Sequence, residues 1–201
     1  ERAGSVWLLL VGQIALAVDN ARLFEEVQSL SLYDELTGLP VRRYFAQRAQ
    51  EEIYRAQRSG DRLTLAILDV DHFKGINDTY GHQIGDQVLR EAARIIQTSL
   101  RKIDFSCRYG GDEILMLLPQ TGEEEALPTM ARLAAALKAM RVAVPFSRAQ
   151  ELRFTVSIGL AVYPQDAGTL EERIQKADAA LYGVKSGGRD GVVAHSRTLR
   201  S

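Results

Sequence analysis

The sequence contains little of what disulfide frameworks and zinc sites are built from. Its single cysteine, Cys107, has no partner within the chain, and its three histidines are scattered at positions 72, 82 and 195. An internal disulfide is therefore excluded, and no histidine and cysteine cluster for zinc is indicated. This composition is typical of a reducing compartment, so we expect a cytoplasmic protein.

An excess of charge of one sign is also missing. Lysine and arginine number 25 against 26 acidic residues, which gives a net charge of -1. No overall positive field therefore draws the chain to a nucleic acid polymer or an anionic membrane, and a small anionic ligand would need local charges. The most apolar stretch, residues 6–18, is too short for a membrane span. We expect a soluble chain whose 46% of hydrophobic residues build a core.

Residues 1–33 lack proline and carry leucine at seven-residue spacing. The leucine row is Leu9, Leu16, Leu23 and Leu30, and Val6, Gln13, Asn20 and Val27 precede these by three residues. Such heptads are typical of a parallel two-stranded coiled coil, because a buried asparagine amide pairs best across a dimer axis. A single amphipathic helix packed on its own domain is the alternative. Gly38 and Pro40 then break the helix, so we predict a stalk over 1–33 and a globular domain over 34–201.

Helix-like and strand-like patterns alternate through the globular part. Helical spacing covers residues 41–58, 86–100, 123–140 and 170–186, and strand-like runs cover 63–68, 105–109, 114–118, 153–163 and 191–194. The runs 105–109 and 114–118 flank a glycine-rich turn and predict a β-hairpin. Alternating elements that include a hairpin favour an α/β fold with a mixed, mostly antiparallel central sheet flanked by helices.

Acidic side chains stand at one strand end and at the tip of the hairpin. Asp69 and Asp71 follow the buried run 63–68, and Asp112 and Glu113 follow two glycines. Carboxylates at neighbouring strand ends repel one another unless a cation neutralises them. Such hard oxygen ligands suit Mg²⁺ or Mn²⁺, which take further ligands from water and phosphate. Each part alone is equally compatible with an ordinary polar strand end or a tight turn.

Six ordered segments make the pattern specific. They are Asp34-Glu-Leu-Thr-Gly-Leu39, Asp69-Val-Asp-His-Phe-Lys74, Asn77-Asp-Thr-Tyr-Gly-His-Gln-Ile-Gly-Asp86, Arg108-Tyr-Gly-Gly-Asp-Glu-Ile114, Ser157-Ile-Gly159, and Ala177-Asp-Ala-Ala-Leu-Tyr182 with Lys185 and Arg189. At this spacing they resemble the GGDEF family of diguanylate cyclases, whereas an isolated Gly-Gly-Asp-Glu would be weak evidence. The resemblance implies a nucleotidyl cyclase (palm-like) fold and a bacterial enzyme that condenses two GTP molecules into cyclic di-GMP and two pyrophosphates.

The resemblance also implies roles for individual residues. Asp69 and Asp112 would bind the metal with help from the carbonyl of Val70, and Glu113 would ligate metal or assist deprotonation of the attacking hydroxyl. Lys185 and Arg189 would bind the triphosphate, one turn apart if the last helix persists; a solvated cationic helix end is the alternative for Arg189. The further expected substrate contacts are Phe73, Lys74, His82, Gly110 and Gly111.

Asn77 and Asp86 match the family positions that read guanine. An aspartate carboxylate accepts from N1–H and N2–H of guanine together, a donor pair that adenine does not present. Guanine is therefore the expected base. The alternatives are a helix N-cap for Asp86 and a plain turn at Asn77 and Asp78.

The motif Arg101-Lys-Ile-Asp104 resembles the product-binding inhibitory site of the family. Arg132 and Arg55 are further expected contacts there, and the resemblance implies inhibition by cyclic di-GMP. A basic helix end followed by an aspartate that opens a strand is the alternative for this motif. Two departures from the family pattern, Ile114 in place of phenylalanine and Val41 in place of asparagine, remove no expected ligand.

One globular unit offers ligands for one GTP, whereas the product joins two nucleotides. We therefore expect a homodimer held by the coiled coil, which raises the local concentration of one half-site near the other. Residues 15–24 resemble the closing helix of a GAF-type sensor domain, which implies an upstream sensor. The rival interpretations are a catalytically degenerate module that binds GTP or cyclic di-GMP, and a related palm-type cyclase or polymerase that uses another nucleotide.

Overall fold

The computed structural model describes residues 32–145, 151–166 and 168–198, together with residues 13, 14 and 18. The chain divides into two compact units, Glu1–Leu32 and Tyr33–Ser201. The predicted coiled coil and the GAF-like segment lie almost entirely outside the described residues and stay predictions. In the part of the chain that is described, no helix has both the length and the apolar character needed to cross a membrane.

The second unit alternates helices and strands along the chain. Its helices are α1 (Arg42–Ser59), α2 (Phe73–Tyr80), α3 (His82–Ser99), α4 (Glu123–Ala139), α5 (Leu170–Ser186) and α6 (His195–Thr198). Its strands are β1 (Leu63–Val70), β2 (Phe105–Gly110), β3 (Glu113–Pro119), β4 (Val142–Ala143), β5 (Glu151–Leu152), β6 (Val156–Tyr163) and β7 (Gly191–Ala194).

The central sheet has the strand order β2-β3-β1-β6-β7. Neighbouring strands are antiparallel except for β6 and β7, which run parallel. Strands β4 and β5 pair separately as a short antiparallel ribbon. The mixed, mostly antiparallel sheet and the β2–β3 hairpin predicted from the sequence are therefore confirmed.

Strand β1 lies in the middle of this sheet, and each of its residues is buried. Successive side chains of a strand point to opposite faces, so a strand covered on both faces is apolar throughout. Leu65 and Ile67 pack in one cluster with residues of α1 and α5. Ala66 and Leu68 pack in the other cluster with residues of α3 and α4. The far end of β1 is thereby held firmly in place.

The sequence interpretation was wrong between β1 and α3. Helix α2 occupies residues for which no element was predicted, so the plain-turn alternative for Asn77 and Asp78 is excluded. Helix α3 begins at His82, four residues earlier than predicted, which places Asp86 inside the helix and excludes its N-cap alternative. The hydrophobic periodicity of the sequence did not reveal α2 because Ile76 is the one buried residue of this helix.

The two departures from the family pattern occupy structural positions. Ile114 is buried in β3, where one apolar side chain replaces another. Val41 precedes the first residue of α1 and offers no side-chain hydrogen bond to cap that helix. An asparagine there would supply such a cap, so the valine affects the helix end rather than a proposed ligand.

Helix α5 lies directly against β6 at Gly159. A Cβ atom at this position would stand 2.1 Å from the carbonyl oxygen of Ala177 and 2.4 Å from the backbone nitrogen of Leu181. Backbone atoms cannot move aside as a flexible side chain can. The variant Gly159→Ala is therefore expected to lower the free energy of unfolding by about 3 kcal/mol, measured by denaturant titration.

Gly183 in the same helix provides a matched control. A Cβ atom there would have Thr198 Cγ2 as its nearest neighbour at 3.6 Å, an ordinary contact. Because alanine favours helix more than glycine does, Gly183→Ala is expected to stabilise the protein by up to about 1 kcal/mol. Equal stability of the two variants would contradict the close approach of α5 to β6.

Candidate active site

Three of the predicted acidic residues come together at one end of the sheet. Asp69 is paired with Glu113 in the antiparallel register of β1 and β3. Asp112 precedes Glu113 in the turn of the β2–β3 hairpin. Asp69 is 7% exposed, while Asp112 and Glu113 are half-buried. The hairpin thus carries two carboxylates to the strand end that holds the third.

The pKa values of this cluster are displaced in the direction that crowding predicts. Burial raises the pKa of Asp69, and the neighbouring charges of Asp112 and Asp71 raise it further, whereas Lys185 opposes the rise. Burial likewise raises the pKa of Glu113, and the charge of Asp69 adds to the effect. Keeping these groups ionised together costs free energy, which a bound cation would offset.

Lys185 supplies one cation to this cluster. It lies in the last turn of α5, and its Nζ stands 2.7 Å from Oδ2 of Asp69. Asp178, two turns earlier in the helix, is close enough to raise the pKa of Glu113. The C-terminal half of α5 therefore faces the acidic strand ends.

Arg189 does not continue the helix of Lys185. Helix α5 ends at Ser186, so the one-turn spacing predicted for a helix that persists to Arg189 does not occur, whereas the helix-end alternative for Arg189 stays open. The backbone of Arg189 has φ 67, and its N–H donates to the carbonyl of Val184 at 2.9 Å. Its side chain lies in an exposed segment between α5 and β7.

Asp71 differs from the other carboxylates of this region. It is 4% exposed and accepts hydrogen bonds from Thr155 Oγ1 at 2.7 Å, Ser157 Oγ at 2.7 Å and the backbone N–H of Asp190 at 3.1 Å. Three donors occupy this carboxylate, so it is not available to a metal ion. The sequence grouped it with Asp69, and the structure gives it internal partners instead.

The predicted guanine-reading residues lie where α2 meets α3. A Cβ atom on Gly85 would stand 1.9 Å from Oδ1 of Asn77 and 3.3 Å from Cζ of Phe73. The missing side chain at Gly85 therefore makes room for the Asn77 carboxamide next to Asp86, which is half-buried. Lys74 near the start of α2 and His82 at the start of α3 are exposed around this junction.

Arg108 has a structural function that the sequence did not reveal. Its Nη1 contacts both carboxylate oxygens of Asp34 at 3.1 Å, and its Nε and Nη2 donate to the carbonyl of Gly111 at 3.1 and 2.9 Å. Burial would raise the pKa of Asp34, but hydrogen bonds from Thr37 and the charge of Arg108 hold that pKa below its usual value. Arg108 thus ties the glycine turn, and with it Asp112, to the start of the unit.

The residues of the predicted inhibitory site line adjoining grooves around the end of α3 and the start of β2. Oδ2 of Asp104 accepts from the backbone N–H of Arg101 at 2.9 Å, and its buried Oδ1 has no hydrogen-bond partner in the described part of the chain. Burial raises the pKa of this carboxyl group. Arg101, Arg132 and Arg55 line three different grooves, beside the start of β2, between α3 and α4, and beside α1.

The donor set at the strand ends fits a hard divalent cation. Among residues 32–145, 151–166 and 168–198, no three acidic, histidine or cysteine side chains surround a common point at which a metal ion would fit. Magnesium, however, needs only one or two protein carboxylates and takes its other ligands from water and substrate phosphate. The carboxylates of Asp69, Asp112 and Glu113 are oxygen ligands of that kind.

Comparison with known proteins gives a consistent result. Residues 31–191 match the family described as "Diguanylate cyclase, GGDEF domain". Diguanylate cyclase DgcP of Pseudomonas aeruginosa is 41% identical over 83% of this chain and 24% of its own length. Response regulator PleD of Caulobacter vibrioides is 38% identical over 82% of this chain and 36% of its own length. The chain thus spans about a quarter to a third of these two relatives.

A solved structure agrees with this match. The GGDEF domain of DgcB from Caulobacter crescentus, in complex with c-di-GMP, superposes with a TM-score of 0.76 and 35% identity over 83% of this chain and 96% of that one. The matching residues include the strand ends that bring Asp69, Asp112 and Glu113 together. The chain therefore belongs to the GGDEF family of diguanylate cyclases.

Proposed function

We propose that this chain is a diguanylate cyclase domain that condenses two GTP molecules into cyclic di-GMP and releases two pyrophosphates. The observation that carries the proposal is the β1–β3 register, which sets Asp69 opposite Glu113, with Lys185 2.7 Å from Asp69. Carboxylates suited to a metal ion therefore lie beside Lys185, whose positive charge suits a phosphate. Family membership and the cyclase names of the relatives support the same activity.

Asp69, Asp112 and Glu113, with the carbonyl of Val70, would hold Mg²⁺ or Mn²⁺. A cation bound there would stabilise the negative charge that develops at the attacking and leaving oxygens during phosphoryl transfer. Lys185 and Arg189 bind the triphosphate and balance the charge of the departing pyrophosphate. The chain's own contribution is therefore mainly the in-line placement of the nucleotide.

The reaction begins when the 3′-hydroxyl of one GTP attacks the α-phosphate of the other. The hydroxyl must lose its proton, and the α–β phosphate bond breaks as the new ester bond forms. Where the Glu113 carboxylate does not ligate the cation, it is the group that would accept this proton.

Guanine is held at the junction of α2 and α3. Among the described residues, neither the Asn77 carboxamide nor the Asp86 carboxylate has a hydrogen-bond partner, so both are free to pair with a base. Bound adenine would leave both groups without a partner, which costs free energy, so the site favours guanine. The neighbouring substrate contacts that we propose are Phe73, Lys74, His82, Gly110 and Gly111.

The active enzyme is a homodimer, because one chain provides one set of ligands and the product contains two equivalent phosphodiester bonds. We assign residues 1–33 to a coiled-coil stalk that pairs the chains and passes a signal from an upstream sensor, and residues 34–201 to the catalytic domain. GTP is a cytoplasmic nucleotide and the relatives are bacterial, which favours the bacterial cytoplasm.

The nucleotide specificity can be tested by product analysis. The wild-type chain with Mg²⁺ and GTP is expected to yield cyclic di-GMP and pyrophosphate, and ATP is expected to yield no product. Asp86→Ser removes the carboxylate that accepts from guanine, so this variant should accept ATP in a competition assay. No cyclic dinucleotide from any nucleotide would reject the cyclase and leave a binding module; unchanged GTP preference in the variant would remove the role of Asp86.

The metal site can be tested without measuring turnover. Because the fold raises the pKa of Glu113, its ionised form destabilises the folded state above that pKa. In metal-free buffer at pH 7, Glu113→Gln is expected to raise the free energy of unfolding by at most about 1 kcal/mol, since solvent screens a half-buried charge. The gain should shrink as the pH falls through the raised pKa of Glu113 and should be absent below 4.5, the ordinary glutamate value, where the carboxyl is protonated in both states.

Added Mn²⁺ should raise the melting temperature of the wild type above that of Glu113→Gln, because the variant has lost a ligand. Glu51→Gln in the exposed part of α1 is the matched control and should respond to Mn²⁺ as the wild type does. Equal stabilisation of all three proteins by Mn²⁺ would contradict a metal site at Glu113.

We also propose that cyclic di-GMP inhibits the enzyme at Arg101 and Asp104. Arg101 and Asp104 line one groove, and no described residue gives the buried Oδ1 of Asp104 a hydrogen bond, which the N–H groups of a guanine edge would supply. Arg132 and Arg55 would be further contacts, because their grooves share Leu100 and Lys102 with the groove of Arg101.

Arg101→Ala tests the inhibitory site by titration calorimetry. The variant is expected to bind cyclic di-GMP at least about ten-fold more weakly, since an arginine contact to phosphate or guanine is charge-assisted. Lys176→Ala, at an exposed position of α5 outside these grooves, is the control for loss of charge alone. Equal affinity of Arg101→Ala and wild type would count against the site.

A further inference from the structure

The segment that carries Arg189 has an unfavourable backbone conformation. Gly188, Arg189 and Asp190 have φ values of 116, 67 and 51, so two consecutive residues with side chains occupy the left-handed region. Such residues are uncommon and persist where their surroundings hold them. Residues 186–190 are exposed, so apolar packing does not provide that support.

Polar contacts hold the segment instead. The backbone N–H of Asp190 donates to Oδ2 of Asp71 at 3.1 Å, and the carboxylate of Asp190 forms an ion pair with Lys138 at the end of α4. The contact with Asp71 is the less exposed of the two, since Asp71 is buried whereas Lys138 and Asp190 are both exposed. A hydrogen bond to a buried charged acceptor is stronger than one at the surface.

Asp71 connects this segment with the strand that neighbours Asp69. Its carboxylate accepts from Ser157, the residue of β6 that is paired with Asp69 in the sheet. It also accepts from Thr155, and its own backbone N–H donates to the carbonyl of Thr155 at 2.9 Å. One carboxylate thus fixes the Arg189 segment relative to the strand ends that hold the acidic cluster.

We propose that Asp71 is a positioning residue for substrate binding: through the N–H of Asp190 it holds Arg189 where its guanidinium meets the triphosphate. Lys138 assists as a second, exposed tether on Asp190. The inference rests on the proposed function, in which Arg189 contacts the triphosphate. It gives the buried Asp71 a function separate from metal binding.

A double-mutant cycle tests whether Asp71 acts through Arg189. The probe is a GTP analogue with a methylene bridge between the α- and β-phosphates, titrated with Mg²⁺ in a calorimeter, so that binding is measured without turnover. Asp71→Asn is expected to bind it about ten-fold more weakly than wild type. In the Arg189→Ala background the same change should cause no further loss.

Asp61→Asn is the matched control, because Asp61 stands before the other end of β1 and is remote from the acidic cluster. Its affinity for the analogue is expected to equal that of wild type. If Asp71→Asn melts below the assay temperature, Lys138→Ala replaces it in the cycle. This variant is expected to bind the analogue about three-fold more weakly than the wild type. In the Arg189→Ala background it should again cause no further loss of affinity.

If the losses of affinity for the analogue multiply in the double variant, Asp71 supports the fold in general and does not act through Arg189. If Asp71→Asn binds the analogue as tightly as the wild type, Asp71 has no role in binding. Either result overturns the inference. A wild type that does not bind the analogue would overturn it as well. A wild type that binds the analogue yet makes no cyclic di-GMP from GTP would reject the cyclase activity alone. The two failures are therefore distinguishable.

Discussion

The antiparallel pairing of β1 with β3 sets like charges beside each other, and the surrounding polar structure depends on this constraint. Asp69 must face Glu113 in this register, and the hairpin turn adds Asp112. Burial itself raises the pKa values of Asp69 and Glu113, and the repulsion between the neighbouring carboxylates raises them further. Lys185 offsets part of the cost. The remaining negative charge is what makes these strand ends suited to a cation and to the phosphates that accompany it.

Apolar packing fixes one part of this arrangement. Strand β1 is buried on both faces, so Asp69 cannot shift without disturbing two cores. Helix α5 approaches the backbone of β6 closely at Gly159. This contact fixes how far the helix lies from the sheet, and with it the backbone position of Lys185 in the last turn. The position of the Lys185 backbone relative to β1 is therefore set by dense packing, which resists deformation.

The sequence predicted the features that follow from local patterns and missed those that follow from distant partners. The apolar run of β1 and the glycine turn before Asp112 indicated a buried strand and a hairpin, and both are present. Helix α2 was missed because Ile76 alone is fully buried, which leaves no apolar periodicity to detect. The pairing of Arg108 with Asp34 spans 74 residues, and no spacing rule relates them. The proposed ligand roles came from the family resemblance.

The parts of the site that packing does not fix are held by buried or half-buried charges. In the homodimer that we propose, the site faces outward, so its loops cannot be covered by an apolar core of their own. Arg108 holds the glycine turn from behind, and Asp71 holds the segment of Arg189. Hydrogen bonds to charged groups are directional and fix a loop while leaving its outer side open to substrate. The hydrogen bonds made by Arg108 and Asp71 are therefore of the kind that suits a site that faces outward.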